Sequence, residues 1–387
     1  MKAAAVAVVG GGVMGASVAY HLAVRGVRDV VVLDRSAGPG LGSTGAATGG
    51  FRAQFATPIN VRLSLLAREK LRRFKEEVGS DPGYAPAGYL WLARSEAERD
   101  ALAAARRIQE AEGLVEAIPV GPDEIARLSP AVRLDGVVGG AFCPTDGFIR
   151  PRRILEGYLA AAERLGVRVE WGIEVLGLGH DTEGLIADVV TSRGRIAAGA
   201  VVNAAGAWAG AVAAFAGVAL PVTPLRRQAA ATTVCDLLPE STPMTIFAGD
   251  GFHFRVRDGR VLLLQPTPGI AGRPFDATVD PSWIDAVVRT AQERVPVLRR
   301  ASIDRSACWA GLYEMSPDRH AILGPSADGA NFYLINGSSG HGVMHAPALG
   351  QLLAEMILDG AASTLDVSAL RPSRFEEGAP NPASGVL

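Results

Sequence analysis

Residues 3–34 read AAAVAVVGGGVMGASVAYHLAVRGVRDVVVLD. Ala3 to Val9 is a short run of alanine and valine that stops at Gly10-Gly11-Gly12-Val13-Met14-Gly15. Ala16, Ala19, Leu22 and Ala23 then recur at helical spacing, and Val30 to Leu33 forms a second apolar run that ends on Asp34. The order is strand, glycine turn, helix, strand, acid. Each part has a mechanical job. Gly10 lets the chain turn sharply off the strand. Gly12 lets backbone approach a pyrophosphate, followed by Val13 and Met14 at the helix start. Gly15 lets the helix lie close to the strand. The helix N-terminus offers unpaired N–H groups and a partial positive charge. Asp34, about twenty residues after Gly15, is placed to accept from a ribose hydroxyl, with Arg35 beside it. The glycine pattern also occurs in α/β turns that hold no ligand, but the complete context predicts a dinucleotide site.

The 387 residues are enough for two packed domains, and 48% apolar with 20% charged residues is the balance of a globular protein. A net charge of −2 gives no reason to expect nucleic acid or an anionic membrane as partner. Cys143, Cys235 and Cys308 lie far apart. This predicts no disulfide framework, no metal site and a reducing, cytoplasmic setting. Lys2 and the apolar run after it mimic a signal peptide, but the glycines interrupt the run and helical spacing continues through Arg25. No uninterrupted 18-residue apolar stretch occurs, so no transmembrane helix is expected.

The far end repeats the theme. Phe332 to Asn336 reads as a strand, Gly337-Ser338-Ser339-Gly340-His341-Gly342 as a turn, and Met344 to Leu358 as an amphipathic helix. That helix would aim its positive end at an electron-rich group. The alternative reading of the local pattern is an ordinary capped helix.

The glycine motif does not separate NAD from FAD, and neither a second glycine fingerprint nor a cysteine pair is present to suggest a disulfide reductase. The chain as a whole resembles the D-amino-acid oxidase superfamily of FAD-dependent oxidoreductases, nearest its sarcosine oxidase, dimethylglycine dehydrogenase and L-proline dehydrogenase β-subunit members. The resemblance is carried by Gly10 to Asp34, Gly42-Ser43-Thr44 running to Arg52, Asp146-Gly147, Val201 to Trp208, Trp309-Ala310-Gly311-Leu312, Ser316-Pro317-Asp318 and Gly337 to Pro347. It implies an α/β (α+β) fold, a Rossmann-like FAD-binding domain interleaved with an antiparallel-sheet substrate domain. The FAD domain would take 1–82, 141–222 and 305–370, and the substrate domain 83–140 and 223–304; residues 371–387, rich in Pro, Ser and Gly, read as a surface tail. The residues agree locally. Glu156 to Leu165 reads as a helix and Val167 to Trp171 as a strand. Phe252 to Val256 alternates into a hairpin at Asp258-Gly259, with Val261 to Leu264 returning.

The resemblance further implies FAD as cofactor and hydride removal from the carbon next to the nitrogen of a small secondary or tertiary amino acid, of sarcosine, dimethylglycine or proline type. Arg52 would grip the substrate carboxylate through its bidentate fork. Gln54 and Phe55 would line the same cavity. His341 and His345 would stand near the flavin edge, and Tyr313 would occupy the place where glycine oxidases carry an arginine. His253 is expected to have no role. The cofactor set adds Gly42, Ser43, Thr44, Ala47, Thr48, Gly49, Val175, Ala205, Gly206, Trp208, Gly311, Gly337, Ser339, Gly340, Gly342, Val343 and Met344. The family's covalent attachment points fall at Ala46 and near Gly311, so FAD is expected to be non-covalent, with Cys308 three residues away as the one rescue. The chain's three lysines are Lys2, Lys70 and Lys75, and Val261 to Leu264 is apolar where sarcosine oxidase places an oxygen-activating lysine. This favours a dehydrogenase over an oxidase. The acceptor stays open among O2, a quinone and a partner flavoprotein, as do homo- and hetero-oligomers. Alternatives are a peroxide-forming glycine or D-amino-acid oxidase, and a non-catalytic flavoprotein subunit.

Overall fold

The computed structural model describes residues 2–267, 273–326 and 329–382. One sheet has five parallel strands at its centre, in the order Gly329–Asn336, Gly194–Asn203, Lys2–Val9, Val30–Asp34 and Arg168–Trp171, with Ile322–Ser326 antiparallel at one edge. The strands Val175–His180 and Ile186–Thr191 form an antiparallel extension on Gly194–Asn203. The central strand is buried on both faces, as parallel strands require. Val6 and Val8 pack into the helical layer, while Ala4, Ala7 and Val9 pack into the opposite core. The helices Val13–Val24, Pro58–Glu77, Pro151–Arg164 and Gly342–Asp359 cover the first face.

The second sheet also has eight strands, ordered Trp309–Met315, Thr223–Ala231, Arg260–Leu264, His253–Arg257, Met244–Phe247, Tyr89–Ala93, Gly139–Cys143 and Ile118–Val120. All its pairings are antiparallel except Met244–Phe247 with Tyr89–Ala93. Alternation divides its faces. Phe254, Val256, Val261 and Leu263 join the core under the helix Pro281–Arg294, while Tyr89, Trp91, Ile246, Ala229 and Leu264 lie on the other face. The hairpin turns at Asp258-Gly259, with Arg257 opposite Arg260.

Two expectations change. The strand Trp309–Met315 falls within the stretch assigned to the third FAD-domain segment, yet it pairs along seven residues with Thr223–Ala231 in the antiparallel sheet. Residues 371–382 form a surface tail only in part: 376–380 are exposed, but the segment is anchored inward at Arg374. Arg374 is 0% exposed, and its guanidinium bonds both carboxylate oxygens of Asp318 at 2.8 and 3.0 Å, because a buried aspartate must be paired. The tail's last residues, 383–387, lie outside the described residues. No helix among the described residues is long and apolar enough to cross a membrane, and none of their His, Cys, Asp and Glu side chains cluster as metal ligands.

Candidate active site

A cavity of about 770 Å³ lies between the two sheets. At one end it rests on the first glycine turn. Gly10 has φ 111°, and a Cβ there would meet the Ala204 carbonyl oxygen at 2.3 Å. A Cβ on Gly15 would sit 1.9 Å from the Gly10 carbonyl oxygen, so this glycine seats the helix on the strand end. Asp34 receives Gly11 N–H on one oxygen and Ser36 N–H on the other, both at 2.7 Å, which fixes the carboxylate at the cavity edge.

The two distant ends of the chain meet here. Ser17 donates to the Ala346 carbonyl at 2.8 Å, and Gly342 lies against the Met14 side chain. The helices Val13–Val24 and Gly342–Asp359 both begin at the cavity, and neither N-cap residue, Gly12 or His341, caps its helix; Thr44 Oγ1 takes the Val13 N–H at 3.1 Å, and the helix dipoles point at the cavity. Ser338 Oγ and Glu314 Oε2 are buried side-chain atoms with no hydrogen-bond partner in the same wall. This set is chemically suited to FAD: glycines and one helix start would hold the pyrophosphate, Asp34 a ribose, and the second helix start with the orphaned polar atoms the flavin edge.

At the other end stands Arg52, 8% exposed. Its Nη1 donates to the Gln54 carbonyl, its Nη2 lies 3.3 Å from His341 Nε2, and its Cζ sits 3.9 Å above the Phe55 ring. Burial lowers its pKa to about 10, leaving it charged at neutral pH. Burial, then the Arg52 charge, holds His341 well below the ordinary histidine value. The imidazole is therefore neutral, and its Nε2 can accept from Arg52. Tyr313 is 37% exposed, with its surface turned into the cavity, and burial raises its phenol pKa. Across the antiparallel sheet, Ala229, Leu264, His253, Ile246 and Trp91 stand in register as one row of the cavity wall. Arg227 flanks that row opposite Gly311, and its Nη1 donates to the Thr267 carbonyl at 2.6 Å.

Of the expected cofactor residues, Gly10, Gly12, Val13, Met14, Asp34, Arg35, Gly42, Ser43, Thr44, Ala47, Thr48, Gly49, Val175, Ala205, Gly206, Trp208, Gly311, Ser339, Gly340, His341, Gly342, Val343 and Met344 line the cavity. Gly15 and Gly337 stand behind the wall, the first as a packing glycine and the second as a φ 67° turn. Arg52, Tyr313 and His341 also line it; His345 does not. One helical turn beyond His341, His345 points inward and meets Ser64 Oγ at 2.8 Å. Gln54 and Phe55 are likewise behind the wall. The Asp146 carboxylate takes Ala53 N–H at 2.7 Å and the Gln54 side chain at 3.2 Å, which draws that segment into the core.

His253 does line the cavity, against expectation. Alternation put it opposite Phe252 and Phe254, but the choice of face needed the neighbouring strands. Arg227, Glu314 and Trp91 escaped the sequence reading for the same reason. Arg255 and Arg257 escaped it too. Arg255 Nη1 donates to the Thr48 and Gly49 carbonyls at 2.7 and 3.0 Å, tying the Ala47–Gly49 segment to the sheet.

Residues 5–356 match the family model described as DAO: FAD dependent oxidoreductase. The bovine FAD-dependent oxidoreductase domain-containing protein 1 is 31% identical over 96% of this chain and 85% of its own length. Rat mitochondrial dimethylglycine dehydrogenase is 30% identical over 95% of this chain, which spans 44% of that protein. Among solved structures, L-proline dehydrogenase from P. horikoshii superposes with TM-score 0.90 at 29% identity, covering 98% of this chain and all of that one. The glycine oxidase of Geobacillus kaustophilus gives 0.85 at 26% identity, covering 97% and 99%. With the family model spanning most of its length, the chain belongs to the DAO family of FAD-dependent oxidoreductases.

Proposed function

We propose that this protein oxidises the C–N bond of a small secondary or tertiary amino acid, with Arg52 anchoring the substrate carboxylate. The observation that carries this reading is the state of Arg52: buried, charged, in the cavity wall, with no carboxylate within ion-pair reach among the described residues. A buried guanidinium held by a carbonyl and an imidazole keeps donors free for an incoming anion. His341 fixes one side of the fork and Phe55 supports its face. Tyr313 offers a phenolic O–H that stays protonated, since burial raises its pKa. Together they hold the substrate still, which is where orientation lowers the barrier. The chemistry FAD supplies when bound is two-electron acceptance: the C–H bond beside nitrogen breaks as hydride and a C=N bond forms.

The cofactor is read as non-covalent. Gly311 and Ala46 face each other so closely that a Cβ on Gly311 would lie 2.7 Å from the Ala46 methyl, and neither can form a side-chain bond to flavin. Cys308 is outside the cavity wall, its Sγ donating to the Asp304 carbonyl. No lysine lines the cavity, which supports a dehydrogenase rather than an oxidase. The relatives named for dimethylglycine and proline dehydrogenation, and a 4-methylaminobutanoate oxidase at 27% identity, support amine substrates.

The test is anaerobic bleaching of the yellow holoenzyme with sarcosine, dimethylglycine and proline. Reduction by at least one, followed by slow reoxidation in air, is expected. A flavin left oxidised by all N-substituted amino acids, or one reduced by primary glycine or D-alanine in preference, would overturn the reading.

A further inference from the structure

Apart from Arg35, which lies over the Trp208 ring next to the glycine end, two guanidinium groups line the cavity, and one suffices for a single carboxylate. Arg52 comes from the segment after the short helix Ser43–Ala46, and Arg227 from the strand Thr223–Ala231, opposite Gly311. Both line the cavity. Tyr313 and His253 each feel the charge of both arginines, so the two cations border one space rather than separate clefts.

Strand parity separates Arg227 from its neighbour. Arg226 turns to the other face, where Nη1 donates to the Thr278 carbonyl at 2.8 Å and Nη2 lies 4.0 Å from Asp280. Arg227 is tethered through Nη1 alone, to the Thr267 carbonyl at 2.6 Å and the Arg226 carbonyl at 3.4 Å. Its Nε and Nη2 make no hydrogen bond, and its guanidinium no ion pair, among the described residues. None of the acids of the cavity wall, Asp34, Glu174 and Glu314, forms an ion pair with it among the described residues. Asp34 is committed to Gly11 and Ser36 beneath the glycine turn. Glu314 points to the opposite face of its strand from Tyr313 and accepts Ser338 N–H at 3.3 Å. A half-buried guanidinium with one nitrogen anchored and two free is poised for an anion.

We propose that the substrate is a small amine carrying two carboxylates, one held by Arg52 and the other by Arg227, with the reacting C–N bond between them. This rests on the amine-oxidation reading above and narrows its substrate class. Charge also speaks against the monocarboxylate: it would leave the second cation desolvated and unpaired when bound.

The experiment compares matched probes on the holoenzyme. Iminodiacetate is set against sarcosine, and N-methylaspartate against N-methylalanine, by anaerobic flavin bleaching. Thiodiacetate against methylthioacetate, which lack the reacting nitrogen, is followed by the shift in flavin absorbance on binding. The dicarboxylate should bind roughly ten- to hundred-fold more tightly in the thioether pair and in at least one amine pair. Arg227→Gln should bring that ratio near one, and Arg227→Lys should keep part of it. A wild-type ratio of one or below in every pair overturns the inference and leaves the amine reading standing. So does a preference that survives Arg227→Gln. If Arg52→Met leaves methylthioacetate binding unchanged, the carboxylate anchor is wrong and both fall together.

Discussion

The glycine end and the arginine end of one cavity are built by opposite means. At the glycine end, contacts are short in sequence or made by backbone. Gly10, Gly15 and Asp34 belong to one strand–helix–strand unit, and their geometry follows from missing side chains and a helix start. At the arginine end, Trp91, Arg227, His253 and Tyr313 come from four strands whose relation exists only once the antiparallel sheet has its register. The first end is fixed by backbone geometry. The second carries side chains that can be exchanged without touching the first.

The sharpest way to break that contrast is to add atoms at the glycine end. Gly15→Val would push its Cβ to about the 1.9 Å at which it meets the Gly10 carbonyl oxygen, and backbone on both sides cannot yield. We expect insoluble or colourless protein, read as the ratio of flavin to protein absorbance. A yellow, soluble variant would mean the turn is not the seat of the cofactor. At the arginine end the outcome should differ in kind. Arg52→Met should keep its flavin but lose about 2–4 kcal/mol of methylthioacetate binding, on the order of 30- to 1,000-fold. Loss of flavin together with loss of binding would erase the distinction.

The same contrast explains what could be read in advance. Strand, turn, helix and acid across residues 3–34 were legible because every determinant is local, and the C-terminal glycine turn at Gly337–Gly342 was legible for the same reason. The hairpin around Asp258-Gly259 was also predictable, and with it the parity that opposes His253 to Phe254. What parity could not supply was the buried side. That is decided by the helix Pro281–Arg294, which follows the hairpin in the chain and covers Phe254, Val256 and Leu263. The anchor at Arg374 went unread because the Pro, Ser and Gly of 371–387 indicate a surface tail, whereas Asp318 needs a buried cation. His345 was misplaced because two histidines at i and i+4 share a helix face only roughly, and Ser64 supplies a partner inside.

Arg255 joins the two ends, so its loss should be felt in stability before chemistry. The guanidinium gives up two carbonyl partners, Thr48 and Gly49, and a 3.7 Å contact over the Phe148 ring when changed to glutamine. A cost of about 1.5–3 kcal/mol is expected for such charged hydrogen bonds, seen as a lower melting temperature and easier flavin release. An unchanged melting curve would show that the Ala47–Gly49 segment holds its position unaided.

The smallest effect is the most diagnostic of sign. Burial raises the Glu314 pKa to about 7, and Ser338 and Gly337 N–H groups only partly offset it. The folded protein thus holds this proton more tightly than the unfolded chain, where an ordinary carboxyl titrates near 4.5. Its contribution to stability is complete below that value. It shrinks as pH rises through the interval and is gone above about 7, on the order of 3 kcal/mol across the whole window. Glu314→Gln carries no titrating proton, so the melting temperature of the variant should gain on the wild type between pH 5 and pH 8. Asp146, which burial raises to about 6, titrates in the same range but is common to both proteins and cancels in the difference. A difference that stays flat with pH would mean that Glu314 is ionised in the folded protein already at pH 5. Some cation would then have to reach the wall of the cavity beside it.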